Sequence, residues 1–286
     1  MRHSEDKNWD LIIKPKNKWY ELDLRSIWCY RDLLLLLVRR DFVAVYKQTI
    51  LGPLWLFIQP IITSITFTII FGRLAKISTD GNPPILFYMA GITLWVYFAD
   101  CLTKTSNTFI ANAGVFGKVY FPRLIIPLSV LVSNLIKLGI QLLIFLIVWI
   151  YYLNSSIQTI QPQWQFMWLV PVLIFMMAGL GLGFGILISS LTTKYRDLTF
   201  LIGFGVQLMM YASSIVLPIS SMPPKVKTIM LFNPLTSIIE AFKFIFLGSG
   251  SFEGIWLVYG FGFMMVIVAI AIIVFSKVEK SFMDTV

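Results

Sequence analysis

The sequence predicts an all-α polytopic membrane protein with six transmembrane helices, and three observations predict it. Of 286 residues, 58% are apolar and only 13% charged, with a mean hydropathy of +0.82, a balance that no water-soluble core requires. Uncharged runs of about 20 residues, the length a hydrocarbon layer of roughly 30 Å demands, recur along the chain. Lysines and arginines gather beside the ends of those runs, so the net charge of +9 reads as membrane topology and not as a nucleic-acid surface.

Residues 1–22 form a polar arm, and its first ten residues mix both charges, unlike a cleavable signal peptide. Residues 23–46 combine apolar side chains with Arg25, Arg31, Asp32, Arg39, Arg40 and Asp41, and their unbroken apolar core, 33–38, is too short to span. This is the composition of a helix lying in the membrane surface, with Trp28, Tyr30 and Phe42 at headgroup level and arginines facing anionic lipid. A soluble amphipathic helix packed on a partner has the same composition.

The transmembrane domain follows over 50–276. The first span, 50–71, is marked by Gly52, Pro53 and a kink at Pro60. After the second, 84–102, the segment 103–123 carries Lys104 and Lys118 and is too polar to cross lipid. Spans three, 124–153, and four, 166–191, flank the uncharged polar hairpin 154–165. A basic turn with Lys194 and Arg196 leads to span five, 198–218. Residues 219–254 are broken by Pro223, Pro224, Pro234, Gly248 and Gly250. Two short helices, 225–232 and 235–247, fit between those breakers, apolar enough to re-enter the bilayer edge. Span six, 255–275, ends at the tail 277–286.

Orientation follows from the 23 lysines and arginines. With both termini cytoplasmic, only Arg73, Lys76, Lys225, Lys227 and Lys243 fall in outer segments, and Lys137 falls inside a span. Cys29 and Cys101, the only cysteines, then lie near the cytoplasmic side, where disulfides are rare. His3, the only histidine, sits in the polar arm, which leaves no histidine metal cluster or histidine general base.

The run Gly179, Gly181, Gly183, Gly185 lies inside an apolar span without a preceding strand, so it reads as close helix packing and not as a nucleotide loop. Gly117-Lys118 is no Walker A, since asparagine stands at 112 and Val119 replaces the serine or threonine. If ATP drives this protein, the ATPase is another polypeptide. Lys137 follows Arg123 by fourteen residues, roughly 21 Å of helix, and a charge at that depth needs a partner or a role. The readings are a structural pairing with Asp100 or a carbonyl, an anionic substrate, or snorkelling. Asp100 and Lys104 have the i, i+4 spacing of a partly exposed pair. Phe67, Trp95, Tyr97, Phe98, Phe204 and Tyr211 lie within spans, and with Lys137 they are the candidate channel residues. Aromatic faces stack on the C–H faces of sugars, although lipid contact and helix packing use the same residues.

Five blocks carry a resemblance. The first is Arg39-Arg40-Asp41-Phe42, followed by residues 46–52 (Tyr-Lys-Gln-Thr-Ile-Leu-Gly), Trp55 and Gln59-Pro60. Next come Ala90-Gly91-Ile92 with Leu94-Trp95 and Phe98, then Lys118-Val119-Tyr120-Phe121-Pro122-Arg123 with Ile126-Pro127. Last are Tyr195-Arg196-Asp197 and Phe232-Asn233-Pro234-Leu235. In this order they resemble the polysaccharide-exporting ABC-2 permeases over nearly the whole chain.

The resemblance implies the permease subunit of an exporter of lipid-linked polysaccharide, O-antigen foremost and otherwise capsule or teichoic acid, in the bacterial inner membrane. It implies a homodimer with two separate ATP-binding subunits, which hold the ATP and Mg, so this chain carries no cofactor of its own. By the same likeness Asn112, Phe116, Lys118, Tyr120, Phe121 and Arg123 belong to the coupling loop that docks on the ATPase. Trp28, Arg31, Arg39 and Arg40 belong to the interface helix, and 219–254 to an outer gate. An exporter of a small hydrophobic compound would share the fold. A membrane-embedded enzyme would be expected to show clustered acids or histidines near one face, and a secondary transporter to show paired intramembrane acids or repeats.

Overall fold

In the computed structural model, residues 24–47, 52–116, 119, 121–155, 160–192, 195, 197–250 and 252–282 are described. The arm, Lys118, Tyr120, Lys194 and Arg196 lie outside them. Helices α1 (Leu24–Cys29) and α2 (Arg31–Tyr46) precede α3 (Trp55–Phe67), which runs on through a π-helical stretch, Thr68–Leu74. Then come α4 (Pro84–Ser106), α5 (Thr108–Phe116), α6 (Ile125–Leu153), α7 (Val170–Thr192, entered through a 3₁₀ stretch, Trp164–Leu169), α8 (Leu198–Tyr211), α9 (Pro224–Leu231), α10 (Pro234–Leu247) and α11 (Gly254–Phe282). Among the described residues there is no strand.

Five segments are long and apolar enough to cross a membrane: Trp55–Leu74, Pro84–Ser106, Ile125–Leu153, Trp164–Thr192 and Gly254–Val278. The fifth expected span is different. Its helix, α8, has 14 residues, about 21 Å of rise, and the chain then turns through Ser213, Ser214, Ile215 and Val216, all buried. The turn has a receptor. A Cβ at Gly91 of α4 would meet Ile215 Cγ2 at 3.3 Å, so Gly91 leaves the hollow into which Ile215 packs, and Asn233 Nδ2 donates to the Ala212 carbonyl at the end of α8 (2.9 Å).

Helix α4 is the hub. Apolar on most of its surface up to Asp100, it is packed by α7, α6, α3 and α10, as a largely apolar helix is when protein surrounds it. Lipid tails are as apolar as leucine, so close packing and not water exclusion joins helices in a membrane. The glycine run of α7 supplies that packing on two faces. A Cβ at Gly181 would sit 2.8 Å from Cys101 Cβ, and one at Gly185 2.6 Å from Thr105 Cβ, both on α4. One at Gly183 would sit 2.7 Å from Ile267 Cγ2, and one at Gly179 would strike Met264, both on α11. Alternate glycines thus bring two helices against opposite sides of α7.

Helix α10 shows how local chemistry sets an element. Asn233 Oδ1 accepts from the Leu235 N–H (3.1 Å), Pro234 takes the first helical position, and Gly248 ends the helix with φ 73°, the asparagine, proline and glycine each where helix ends favour them. It meets α9 at a bend of 102°. Of the two short helices, α10 is the enclosed one. All its residues but Phe244 are buried in the chain's own core, because α4, α7 and α11 pack around it. Trp149 Nε1 donates to its Phe246 carbonyl (2.8 Å), and the Gln163 N–H to its Ile245 carbonyl (2.9 Å).

Candidate functional site

The bundle has two ends of different character. At one end α5 closes on α7 and α11: Phe109 stacks on Phe275 with ring centroids 4.9 Å apart, Phe116 packs between Phe109 and Phe121, and the Arg123 guanidinium lies 5.2 Å over the Phe116 ring. Thr192 Oγ1 donates to the Ser106 carbonyl at 3.1 Å. Phe116, Phe121 and Arg123 are therefore buried, and Asn112 donates to the Thr108 carbonyl of its own helix (2.9 Å). These residues hold α5 in place and do not form its outer face. That face is Ile110, Ala111, Gly114 and Val115, all exposed, which sequence reading passed over because short apolar runs do not announce which side faces out.

Helix α2 rests on the same end through Leu37 and Val38, and presents Leu35, Leu36 and Val43 to the outside beside Asp32, Arg39 and Arg40. Arg31 lies over the exposed Trp28 ring at 5.7 Å, and Arg40 holds Asp41 at 2.8 Å. Its outward face mixes leucine with arginine, the mixture that long basic side chains tolerate at a lipid headgroup layer.

The candidate channel residues do not come together. Trp95, Tyr97 and Phe98 are buried within the protomer's core around α4, on sides that its neighbouring helices cover, while the more open side of the helix carries Asp100 and Lys104. Phe67 is half-buried against Phe71 and Tyr88. Phe204 and Tyr211 on α8 are exposed, with Gln207 between them, and α3 exposes Gln59. An exposed glutamine on a membrane helix faces something other than lipid tails.

Lys137 reaches across from α6 to Asp100 of α4, Nζ to Oδ2 at 2.7 Å. The structural pairing is thus present. The expected pairing of Asp100 with Lys104 is not: Lys104 instead donates to Asn134 Oδ1 of α6 at 2.9 Å. Neighbouring turns of α6 outcompete the next turn of α4.

At the far end sequence reading missed a second pair. Lys243, counted as an outer-loop charge, is buried with Glu240 in α10, each side chain 1% exposed, Nζ to Oε1 3.6 Å. Lys243 also donates to the Ser214 carbonyl in the turn after α8, and its ammonium lies 3.6 Å over the Phe87 ring of α4. One side chain thereby ties α10, α8 and α4 together. The only sequence signal was an i, i+3 acid and base inside an otherwise apolar helix.

The sequence has relatives. The chain is 30% identical over 254 residues to the O-antigen export system permease protein RfbA of Klebsiella pneumoniae, covering 88% of this chain and 94% of that one. It is 24% identical to the RfbA protein of Myxococcus xanthus over 78% of this chain and 83% of that one, and 23% identical to the polysialic acid transport protein KpsM of Escherichia coli over 82% and 89%. Residues 32–247, from α2 through α10, match the family described as ABC-2 type transporter, and the chain belongs to that family.

Proposed function

We propose that this chain is the membrane-spanning permease of an ATP-driven exporter that carries a lipid-linked polysaccharide, an O-antigen, out of the bacterial cytoplasm. Likeness to O-antigen permeases over 88% of the chain supports the cargo. The observation that carries the mechanism is α5: bolted to α7 and α11 on one side, it offers Ile110, Ala111, Gly114 and Val115 on the other. A helix so held transmits a push from whatever docks on its free face.

In this reading the α5 end and both termini are cytoplasmic, as the lysine and arginine bias supports, α2 lies along the inner-leaflet headgroups, and the bilayer is the bacterial inner membrane. The docking partner is a separate ATP-binding subunit that holds ATP and Mg. Two copies of the chain face each other through α3 and α8, where Gln59, Gln207, Phe204 and Tyr211 are exposed. A long hydrophilic polymer crosses lipid only along a continuous protein-lined route. Weak, repeated stacking on exposed aromatics lets it slide without stalling.

The test is ATPase activity of the permease reconstituted with its ATP-binding subunit, with and without purified lipid-linked glycan. Glycan stimulates wild type, the Phe204→Ala, Tyr211→Ala double variant loses the stimulation, and Val115→Asp loses the ATP-binding subunit while the permease stays folded. A complex indifferent to glycan but stimulated by a small amphiphile would replace the polymer with a small hydrophobic cargo.

A further inference from the structure

A cavity of about 230 Å³ opens between α2, α4 and α6, lined by Asp41, Phe42, Ala44, Lys104, Val130, Ser133, Asn134 and Lys137. Its charges are not evenly settled. Asp41 is held by Arg40 at 2.8 Å, and Lys137 by Asp100 at 2.7 Å. Lys104, among the described residues, meets no carboxylate: its hydrogen bond goes to the neutral Asn134 oxygen. An ammonium has three donors, so two remain on Lys104. Ser133 adds a hydroxyl whose buried oxygen lacks a partner, an arrangement that buried polar atoms rarely keep without a ligand or water.

We propose that this cavity binds the phosphate head of a membrane lipid, with Lys104 as its counter-charge, Ser133 as a further donor, and the lipid chain leaving along α6. The shape supports a lipid over a soluble anion. Ile136, one turn from Ser133 on α6, is exposed, and further along the same side so are Leu143 and Ile147, an apolar track suited to an acyl or prenyl chain. Phe42, Ala44 and Val130 give the cavity itself apolar wall. Lys104 lies two residues from the end of α4, at headgroup depth if the α5 end faces the cytoplasm. The site therefore rests on the membrane placement proposed above and not on the identity of the cargo. Asp41 at the rim opposes an anion, and Arg40 offsets it.

The experiment is native mass spectrometry of the purified permease complex released from neutral phosphatidylcholine nanodiscs, titrated in separate arms with phosphatidylglycerol, a polyprenyl monophosphate, diacylglycerol and inorganic phosphate. A lipid whose phosphate carries a net negative charge is retained over the background phosphatidylcholine, whose choline already balances its phosphate, diacylglycerol and inorganic phosphate are not retained, and Lys104→Gln weakens retention about tenfold, the worth of one charge-assisted hydrogen bond. Lys104→Arg restores it. Preference for the polyprenyl phosphate makes the cavity a stop on the cargo's path, and preference for phosphatidylglycerol makes it a seat for a resident lipid; either supports the site. Equal retention by wild type and Lys104→Gln, or equal retention of diacylglycerol, overturns it. Glycan-stimulated ATPase activity is read on the same preparations, so the site can fail while the export reading stands.

Discussion

The two lysines that the bundle encloses, Lys137 near the α5 end and Lys243 near the α10 end, rank in the opposite order to their distances. Lys137 is 2.7 Å from Asp100, and Lys243 is 3.6 Å from Glu240. Yet the shorter pair keeps 19% and 30% of its side chains exposed, while the longer keeps 1% of each. In the membrane placement proposed above, where the cavity beside Lys137 opens to the cytoplasm, exposure and not separation decides how much each pair matters, because a charge that loses its partner in water is resolvated and one enclosed in protein is not. The α10 end is accordingly locked, and the α5 end is accessible and adjustable.

The largest effect should come from the dry pair. Lys243→Met leaves a buried carboxylate and an unmet Ser214 carbonyl and should cost about 3–5 kcal/mol, read as a fall in melting temperature in detergent and a loss of monodisperse protein. Adding Glu240→Gln should recover part of it, since removing both charges is cheaper than stranding one. If the double variant is as unstable as the two single losses summed, the two charges do not act as a pair.

Glycines extend the contrast to packing. Gly181→Ala places a methyl group against Cys101 and should cost about 1–3 kcal/mol. Gly203→Ala on α8, where nothing lies within 4 Å of the added carbon, should change stability by less than about 0.5 kcal/mol. A Gly203 variant that keeps its stability but loses self-association would support α8 as a face of the proposed dimer.

Smallest in stability is Lys137→Met, expected to cost about 1 kcal/mol or less and to insert normally. A cost matching that of Lys243→Met would break the comparison, and wetness would not be what separates the pairs. Normal insertion with impaired glycan-stimulated ATPase activity would move Lys137 from structure to cargo handling.

What the sequence made legible is what composition records. Four of the long spans stand where their uncharged runs placed them, Lys137 demanded a partner by its depth, and the alternate glycines of α7 announced close packing. The residues that escaped depend on neighbours and not on composition. Trp95, Tyr97 and Phe98 read as candidate lining residues, and the sequence does not show that α7, α6, α3 and α10 pack over them within the protomer. The hydropathy of 198–218 reads as one span, but the hollow at Gly91 draws Ile215 into a turn and stops α8 at Tyr211. Lys243 read as a loop charge because prolines and glycines bracket its helix, and those same residues are the caps that let α10 bury itself.

The two-faced glycine pattern of α7 also bears on biogenesis. Gly181 and Gly185 can seat on α4 as soon as α7 enters the bilayer, but Gly179 and Gly183 face α11, which the ribosome delivers only after α8, α9 and α10. Until then α7 carries an open slot along its length, a recognisable mark of an unfinished chain for insertases to shield or membrane proteases to seize.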